Sequence, residues 1–247
     1  MRAMPAAPPV VLTIAGSDSS CGAGAQADLK SIAALGGYGI NALTSVVSES
    51  PGKVSAIRLL DADIIEDQLR VLFDAFPVRA AKTGMIGGRA QAGAVVAYWK
   101  SLGRSAPPLV VDPVMVATGG GRLLEDDAVT FITEQLLPLA RIITPNMDEA
   151  QVLSGRTIRS RDDMAACAQE LCSRLGTAVL VKGGHLEEDA AADVLCDAGA
   201  LTWLSAPRTP GVHTHGTGCA TSAAIASHLA WKTAAGEVHA LNHPGQS

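Results

Sequence analysis

Short apolar runs rich in branched side chains alternate along the chain with longer segments in which apolar residues recur every three or four positions. The short runs predict strands at residues 10–15, 42–47, 80–83, 109–112, 141–144 and 178–182, with a further extended segment at 54–59. The longer segments predict helices at residues 25–35, 63–76, 89–102, 126–137, 147–153 and 162–175. Two late runs, 191–196 and 201–205, flank the turn Asp197-Ala198-Gly199-Ala200 and indicate an antiparallel hairpin.

Strands that alternate with helices form right-handed crossovers, so this pattern predicts an α/β fold with a mostly parallel sheet. Helices would cover both faces of the sheet in a three-layer αβα arrangement. No linker or repeat interrupts the pattern, and we expect residues 1–247 to form a single domain. We expect residues 1–9 to be disordered, and residues 232–247 to be irregular because they contain Gly236, Pro244 and few apolar positions.

The composition excludes several classes of function. With 247 residues, 48% of them hydrophobic and only 3% aromatic, the chain can bury one large core of Ala, Val, Leu and Ile. A net charge of −5 provides no basic surface for nucleic acid, and no run reaches the roughly 18 apolar residues of a membrane span. The five cysteines lack CxxC spacing, which fits neither a disulfide framework nor a zinc site. We therefore expect a cytoplasmic protein with neither nucleic acid nor a membrane as a partner.

Polar side chains stand at or just after the ends of the predicted strands. They are Asp18, Glu49, Lys82, Asp112, Asn146 with Glu149, and Lys182. Because ligands bind beyond the carboxyl ends of the strands in such sheets, these side chains are candidates for one site. Asp112 and Glu149 are candidate Mg²⁺ ligands, since Mg²⁺ prefers oxygen donors. Asn146 and Glu149 also have the spacing of a helix capping box, and this structural alternative stays open.

The run His215-Gly216-Thr217-Gly218-Cys219 precedes a stretch of small residues that predicts a helix. Backbone amides at a helix N-terminus attract anions, and glycines allow a phosphate to approach the backbone closely. Cys219 falls in the first turn, where the helix dipole would favour its thiolate. Lys182 would add a point cation. The pattern thus indicates a phosphate or oxyanion site, with an ordinary glycine-rich turn as the alternative.

Several motifs occur in an order typical of one enzyme family. They are Gly16-Ser17-Asp18, the run from Gly22 to Lys30, Lys82-Thr83-Gly84-Met85, Asp112-Pro113-Val114-Met115, Thr144-Pro145-Asn146, Glu149-Ala150, Lys182-Gly183-Gly184-His185 and the run from His215 to Cys219. Together they resemble the hydroxymethylpyrimidine/phosphomethylpyrimidine kinases of the ribokinase-like fold. The resemblance extends from about Val10 to Ala230, and the combination of GAGxQAD with HGTGC is its most specific part. It implies transfer of the γ-phosphoryl group of ATP to a hydroxymethylpyrimidine and then to its monophosphate.

The resemblance also implies roles for individual residues. It implies a pyrimidine pocket formed by Gly16, Ala23, Asp28, Val47, Glu49 and Met85. It implies ATP contacts at Asn146, Lys182, Thr217 and Gly218, with Mg²⁺ at Asp112 and Glu149. It implies catalytic roles for Lys182, Gly216, Gly218 and Cys219. Cys219 is the candidate base at a position where most ribokinase-like enzymes carry Asp. A homo-oligomer, with a dimer favoured, is also expected.

Departures from the family pattern leave alternatives open. Glu49 stands where a run such as TAxxAQNT carries Gln, and an ionised carboxylate accepts hydrogen bonds but donates none. Pyridoxal, a substrate of other kinases of this fold, is therefore the alternative substrate. Ser19 and Cys21 stand where Pro and Gly are usual, and the chain after Trp231 is short. A catalytically weak pyrimidine-binding protein of kinase ancestry is the remaining interpretation.

Overall fold

The computed structural model describes residues 7–50, 52–115, 124–183, 190–207 and 216–242. The strands in these residues are β1 (Val10–Asp18), β2 (Tyr38–Ser50), β3 (Lys53–Leu59), β4 (Val78–Thr83), β5 (Leu109–Val111), β6 (Ile142–Ile143), β7 (Ala178–Val181), β8 (Ala190–Asp197) and β9 (Ala200–Pro207). The α-helices are α1 (Gly24–Ala34), α2 (Ala62–Ala75), α3 (Arg89–Leu102), α4 (Asp126–Phe131), α5 (Met147–Ser154), α6 (Arg161–Leu175) and α7 (Thr217–Asn242).

The strands form one sheet in the order β3-β2-β1-β4-β5-β6-β7-β8-β9. Neighbouring strands from β2 to β7 in this order are parallel, whereas β3 pairs antiparallel with β2 at one edge. At the other edge β8 and β9 are antiparallel. The predicted mostly parallel sheet and late hairpin are both confirmed.

The side chains of β1 alternate between two cores, one on each face of the sheet. Val11 packs on one face with Ile32 of α1 and Ala226 of α7. Leu12 and Ile14 belong to the larger core on the other face, to which α2, α3, α4, α5 and α6 all contribute. Helices therefore cover both faces, as the three-layer prediction requires.

α7 packs against the sheet through small residues. Ala223, Ala226 and Ala230 are fully buried, so the helix backbone lies close to the strands. The indole nitrogen of Trp231 donates a hydrogen bond to the carbonyl of Leu35 at 3.1 Å and fastens α7 to the end of α1. No helix in the described part of the chain is long and apolar enough to cross a membrane.

The predicted irregularity of residues 232–247 is wrong as far as Asn242, because α7 continues to that residue. This extension consists largely of good helix formers, and an interior glycine such as Gly236 costs only about 1 kcal/mol. A helix that is already nucleated tolerates such a cost. At the other end of the chain, Pro9 is buried and its carbonyl accepts a hydrogen bond from the Tyr38 amide at 2.9 Å. The expected disorder therefore does not extend to Pro9.

The helix predicted at 126–137 is regular only to Phe131. It continues as a π-helical turn over Ile132–Leu136 and a 3₁₀ turn over Leu137–Leu139. Pro138 has no amide hydrogen, and its ring would collide with a carbonyl in the preceding turn of an α-helix. The helical geometry changes ahead of this proline.

Candidate active site

The candidate site residues meet at the carboxyl edge of the parallel strands. Backbone hydrogen bonds extend the sheet pairing past the strand ends, from the Asp112 amide to the Thr83 carbonyl (3.0 Å) and from the Lys182 amide to the Pro145 carbonyl (2.9 Å). Val47 of β2 lies in register with Asp18 of β1. The expectation that these polar residues share one edge is confirmed.

The loop from Asp18 to Gly24 is folded around one carboxylate. Oδ1 of Asp18 accepts hydrogen bonds from the amide and the hydroxyl of Ser20, both at 2.7 Å. Oδ2 accepts from the amides of Gly22 (3.1 Å) and Ala23 (2.8 Å). These bonds fix the backbone of Ala23, a predicted pocket residue. Sequence analysis placed Asp18 among the strand-end residues but did not predict that its carboxylate organises the loop, although Asp followed by Ser is a recognisable turn signal.

The same loop accommodates the departures at residues 19 and 21. Cys21 has a φ of 57°, in the left-handed region that favours glycine. The hydroxyl of Ser19 accepts a hydrogen bond from the Glu49 amide (2.8 Å) and donates one to the Glu49 carbonyl (2.7 Å). Ser19 thereby ties the loop to the end of β2 and fixes the backbone of Glu49, whose side chain is half-buried.

Two glycines permit the close contacts that join this loop to its neighbours. A Cβ at Gly216 would lie 1.9 Å from the carbonyl oxygen of Gly22, and one at Gly24 would lie 2.5 Å from that of Gly16. Both glycines also have positive φ, 82° for Gly216 and 59° for Gly24. Only glycine satisfies both conditions, so the start of α7 is held directly against the loop.

The first turn of α7 faces a lysine and a carboxylate. A Cβ at Gly218 would lie 3.1 Å from Nζ of Lys182 and 3.6 Å from Oδ2 of Asp112. Amides in the first turn of a helix have no intrahelical acceptor, so the positive end of the helix dipole lies beside the ammonium group. Thr217 is exposed at the helix start. This arrangement favours a bound anion.

Lys182 is anchored but accessible. Its Nζ donates a hydrogen bond to Oδ1 of Asp112 at 3.0 Å. The hydroxyls of Thr144 and Ser222 lie 3.3 Å and 3.2 Å from the two oxygens of the same carboxylate. Asp112 is only 3% exposed, whereas 16% of the Lys182 side chain is exposed. The ammonium group is therefore positioned for a ligand at the sheet edge.

Asn146 and Glu149 form the capping box that their spacing allows. The Glu149 amide donates to Oδ1 of Asn146 (2.9 Å), and the Asn146 amide donates to Oε2 of Glu149 (2.8 Å). Burial and the nearby charge of Asp112 raise the pKa of Glu149 to about 7, although Lys182 and the Asn146 and Met115 amides act in the opposite direction. The capping alternative is thus realised, and it places a carboxylate with an unusual pKa beside Asp112.

A second lysine–aspartate pair lies deeper in the protein. Nζ of Lys82 is 2.8 Å from both carboxylate oxygens of Asp28, and Oγ1 of Thr13 donates to Oδ2 at 2.5 Å. Lys82 and Asp28 are both fully buried. Burial alone would lower the pKa of Lys82, but Cys219 when ionised, Asp28 and Asp112 outweigh it and raise this pKa.

Sequence analysis placed Lys82 at a strand end without predicting its partner, and the resemblance assigned Asp28 to the pocket. In the structure Asp28 has no exposed surface and both of its oxygens contact Lys82. A direct contact between Asp28 and a pyrimidine stays a prediction. A lysine inside the apolar run Ala80-Ala81-Lys82 was the available signal, since a buried lysine requires a partner.

Cys219 lies above this deeper pair. Burial raises the pKa of the Cys219 thiol; the ammonium of Lys82 lowers it, and the carboxylates of Asp28 and Asp112 raise it further. A hydrogen bond from the Gly24 backbone amide also lowers it. The pKa of the Cys219 thiol is therefore raised, with burial as the largest cause, which is opposite in direction to the lowering expected from the helix dipole alone.

The other predicted pocket residues lie together beside the loop. The Gly16 amide donates a hydrogen bond to the Met85 carbonyl at 3.1 Å. Val47 is buried on β2, whereas the side chains of Ala23, Glu49 and Met85 are partly exposed. These residues form one wall of the site. His185 and His215, which belong to the motifs of the resemblance, lie outside the described residues.

Comparison with known proteins assigns this chain to a family. Residues 18–238 match the family model described as phosphomethylpyrimidine kinase. The hydroxymethylpyrimidine/phosphomethylpyrimidine kinase of Rhizobium meliloti (strain 1021) is 44% identical over 222 residues, which cover 90% of this chain and 82% of that protein.

Two solved structures share the fold. Phosphomethylpyrimidine kinase from Clostridium difficile 630 is 38% identical with a TM-score of 0.78, covering 90% of this chain and 91% of that one. An ADP complex of Bacillus subtilis pyridoxal kinase is 37% identical with a TM-score of 0.83, covering 91% and 85%.

The protein is a kinase of the ribokinase-like fold. This class follows from the mostly parallel sheet, from α7 at its carboxyl edge and from these matches. Within that class, the chain belongs to the phosphomethylpyrimidine kinase family.

Replacing Lys82 tests the buried pair. Lys82→Met should lower the free energy of unfolding by about 3–5 kcal/mol, because it leaves the buried carboxylate of Asp28 without a counter-charge. Lys182→Met is the matched control and should cost less, since its pair is partly exposed. The double variant Lys82→Met/Asp28→Asn should recover part of the loss. Equal losses for the two lysine variants in denaturant unfolding would contradict the account.

The raised pKa of Glu149 predicts a pH-dependent stability. The folded-state pKa of about 7 exceeds the ordinary value of 4.5, so this group's contribution is present below pH 4.5 and is lost as the pH rises through 7. With EDTA present, the Tm of wild type should fall relative to that of Glu149→Gln between pH 5 and pH 8. Glu66→Gln, an exposed control, should differ from wild type in Tm by the same amount across this pH range. A pH-independent difference for Glu149→Gln would rule out the shift.

Proposed function

We propose that this chain transfers the γ-phosphoryl group of ATP to the hydroxymethyl group of 4-amino-5-hydroxymethyl-2-methylpyrimidine and to that of its monophosphate. The reaction supplies the pyrimidine half of thiamine diphosphate. The observation that carries this proposal is the first turn of α7 beside Lys182 and Asp112, in a chain that matches the family over residues 18–238.

Phosphoryl transfer depends mainly on positioning and on neutralising charge around the transferred group. The amides of Gly216, Gly218 and Cys219 would donate hydrogen bonds to phosphoryl oxygens, and Lys182 would contact the same group from the sheet side. The contact of Gly216 with the Gly22 carbonyl supports this role, because it fixes the direction of the helix start. Donors that are already oriented cost no reorganisation during the reaction.

Asp112 and Glu149 fit a divalent cation. The ammonium group of Lys182 contacts only Asp112 of the two buried carboxylates, and the charge of Asp112 disfavours ionisation of Glu149, so a cation would relieve their repulsion. In the described residues no group of three or more His, Cys, Asp or Glu side chains forms a metal cage. Mg²⁺ suits such a sparse site because it retains waters and binds substrate phosphates. When bound, it would neutralise phosphate charge, with Asp112 and Glu149 holding it directly or through water.

For the nucleotide we propose contacts at Asn146, Lys182, Thr217 and Gly218. Asn146 lies beside Lys182 in a parallel bridge at the sheet edge, and Thr217 is exposed at the start of α7. The ADP bound in the Bacillus subtilis relative supports an adenine nucleotide. The intact lysine and glycine arrangement also argues against a protein that only binds pyrimidines, since such a protein would not need a phosphoryl site.

The main role of Cys219 would be to position the substrate hydroxyl, with its basicity less important. Its raised pKa keeps the thiol protonated at neutral pH, and the attacking alcohol loses its proton late in a loose transition state. The thiol sulfur would accept a hydrogen bond from the substrate hydroxyl and orient its oxygen toward the transferred group. As the new O–P bond forms, the hydroxyl proton would pass to an oxygen of the transferred phosphoryl group, so Cys219 would stay a thiol throughout.

The pyrimidine would lie against Gly16, Ala23, Val47, Glu49 and Met85, and Asp28 stays a predicted pocket residue. A second substrate remains a candidate because the pyridoxal kinase of Bacillus subtilis resembles this chain as closely as the phosphomethylpyrimidine kinase structure does. Glu49 supports that alternative, since it cannot donate to a ring nitrogen unless it is protonated. A homo-oligomer, with a dimer favoured, and a cytoplasmic location stay predictions.

A kinase assay over a panel of alcohols tests the proposal. Wild type with Mg-ATP should turn over the pyrimidine alcohol and its monophosphate with a kcat/KM at least about 10-fold above that for pyridoxal. Glu49→Gln restores a donor and should raise kcat/KM for the pyrimidine about 3- to 10-fold. The acid-to-amide control Glu66→Gln, exposed on α2, should leave both values unchanged. Preference for pyridoxal in wild type and in Glu49→Gln would overturn the pyrimidine assignment.

The same assay tests Cys219. Cys219→Ala should lower kcat on the order of 10-fold, less than the loss of a full general base. An unchanged kcat and pH profile would remove Cys219 from the proposed machinery.

A further inference from the structure

Two buried hydroxyls in the described residues have no hydrogen-bond partner, Oγ of Ser45 and Oγ1 of Thr83. A buried polar group without a partner destabilises a folded protein, so its presence requires an explanation. Thr83 lines a cavity of about 10 Å³ with Val111, Leu124 and Asp112, a volume that fits one water and no larger ligand. Ser45 is different, because its surroundings are the proposed substrate residues.

The hydroxyl of Ser45 and the terminal methyl of Met85 both lie against Gly16. A Cβ built on Gly16 would lie 2.4 Å from Oγ of Ser45 and 2.7 Å from Cε of Met85. Both side chains therefore rest on the bare backbone of Gly16, in the bulge where β1 leaves its regular pairing with β2. Gly16 in turn contacts Gly24, whose amide donates to Cys219. A continuous path of contacts links Ser45 to the reacting end of the site.

The main chain of Met85 is fixed while its side chain is partly exposed. The Met85 carbonyl accepts hydrogen bonds from the Gly16 amide (3.1 Å) and from Oγ1 of Thr44 (2.7 Å). The Met85 side chain has three rotatable bonds, and its terminal methyl lies beside Ser45. A rotamer change at Met85 would uncover the hydroxyl without moving the backbone.

Ser45 also shares a strand face with a proposed pocket residue. Side chains two positions apart on a strand point to the same side, and Ser45 and Val47 are both buried on β2. Their neighbours Val46 and Ser48 are exposed. The face of β2 that carries Ser45 is thus the face that carries Val47.

We infer that Ser45 determines substrate specificity: after the Met85 methyl moves aside, its hydroxyl hydrogen-bonds a polar group on the ring of the bound aminopyrimidine. The inference rests on the proposed function. A hydroxyl can donate to a ring nitrogen or accept from an amino group, so either polar atom satisfies it. The bond supplies the partner that Ser45 lacks in the free protein.

Ser45 and Glu49 would recognise different parts of the ligand. They are four positions apart on β2, which corresponds to about 13 Å along a strand. In the TAxxAQNT run Ala occupies the position of Ser45 and Gln that of Glu49. Relative to that run, Ser45 adds a hydroxyl to the strand face, whereas Glu49 replaces an amide by a carboxylate at the strand end. The two changes therefore act independently, and their variants can be tested separately.

Steady-state kinetics on Ser45→Ala test the inference. For the pyrimidine alcohol we expect KM to rise about 3- to 10-fold, with kcat changed less than about 2-fold, because one neutral hydrogen bond to the bound substrate is lost. The melting temperature should stay equal or rise, since an unpaired hydroxyl is removed. Ser48→Ala makes the same chemical change at an exposed position of β2 and should alter neither constant.

An analogue of the pyrimidine alcohol that lacks the amino group shows whether Ser45 donates to a ring nitrogen or accepts from the amino group. If the amino group is the partner, wild type and Ser45→Ala should have the same KM for this analogue; if a ring nitrogen is the partner, the difference should persist. An unchanged KM for the parent alcohol in Ser45→Ala, or a loss confined to kcat, would overturn the inference. Failure of wild type to phosphorylate the pyrimidine would instead overturn the proposed function, and Ser45→Ala would then be measured with pyridoxal.

Discussion

The buried ion pair between Lys82 and Asp28 is the interaction on which the rest of the site depends. A charge stays inside a protein core only when an opposite charge and further hydrogen bonds compensate it, and Asp28 and Thr13 provide both. The pair joins β4, α1 and β1 at the level where α7 begins. It places a fixed positive charge beneath Cys219, while the second ammonium, on Lys182, stays accessible at the sheet edge.

Close backbone contacts hold the start of α7 over the Lys82–Asp28 pair and so form the proposed anion site. Gly216 lies against the Gly22 carbonyl and Gly24 against the Gly16 carbonyl, so the first turn of α7, the loop around Asp18 and the end of β1 form one rigid unit. Side chains at these glycines would separate the three segments. The positive end of α7 therefore owes its direction to steric contacts as much as to the sheet beneath it.

The pattern of apolar residues predicted the parallel sheet, the late hairpin and the edge where the site lies, because periodicity and strand order are local properties of the chain. It did not predict the burial of Asp28 or the pKa of Cys219, since both depend on Lys82, which is distant in sequence from both. The break in the helix after Phe131 arises at Pro138, a local signal that the apolar periodicity obscured. The capping box at Asn146 and its proximity to Asp112 could both be predicted, because the carboxyl ends of parallel strands meet at one edge, but the raised pKa of Glu149 could not, since it depends on burial in the folded protein.

The central claim is that the first turn of α7 and Lys182 receive the transferred phosphoryl group. The most direct test is a crystal structure of the protein with Mg²⁺, the pyrimidine alcohol and a non-hydrolysable ATP analogue. The account predicts the γ-phosphoryl group within hydrogen-bond distance of the Gly218 and Cys219 amides and of Nζ of Lys182. A γ-phosphoryl group bound away from this turn, with neither amide nor Lys182 in contact, would contradict it.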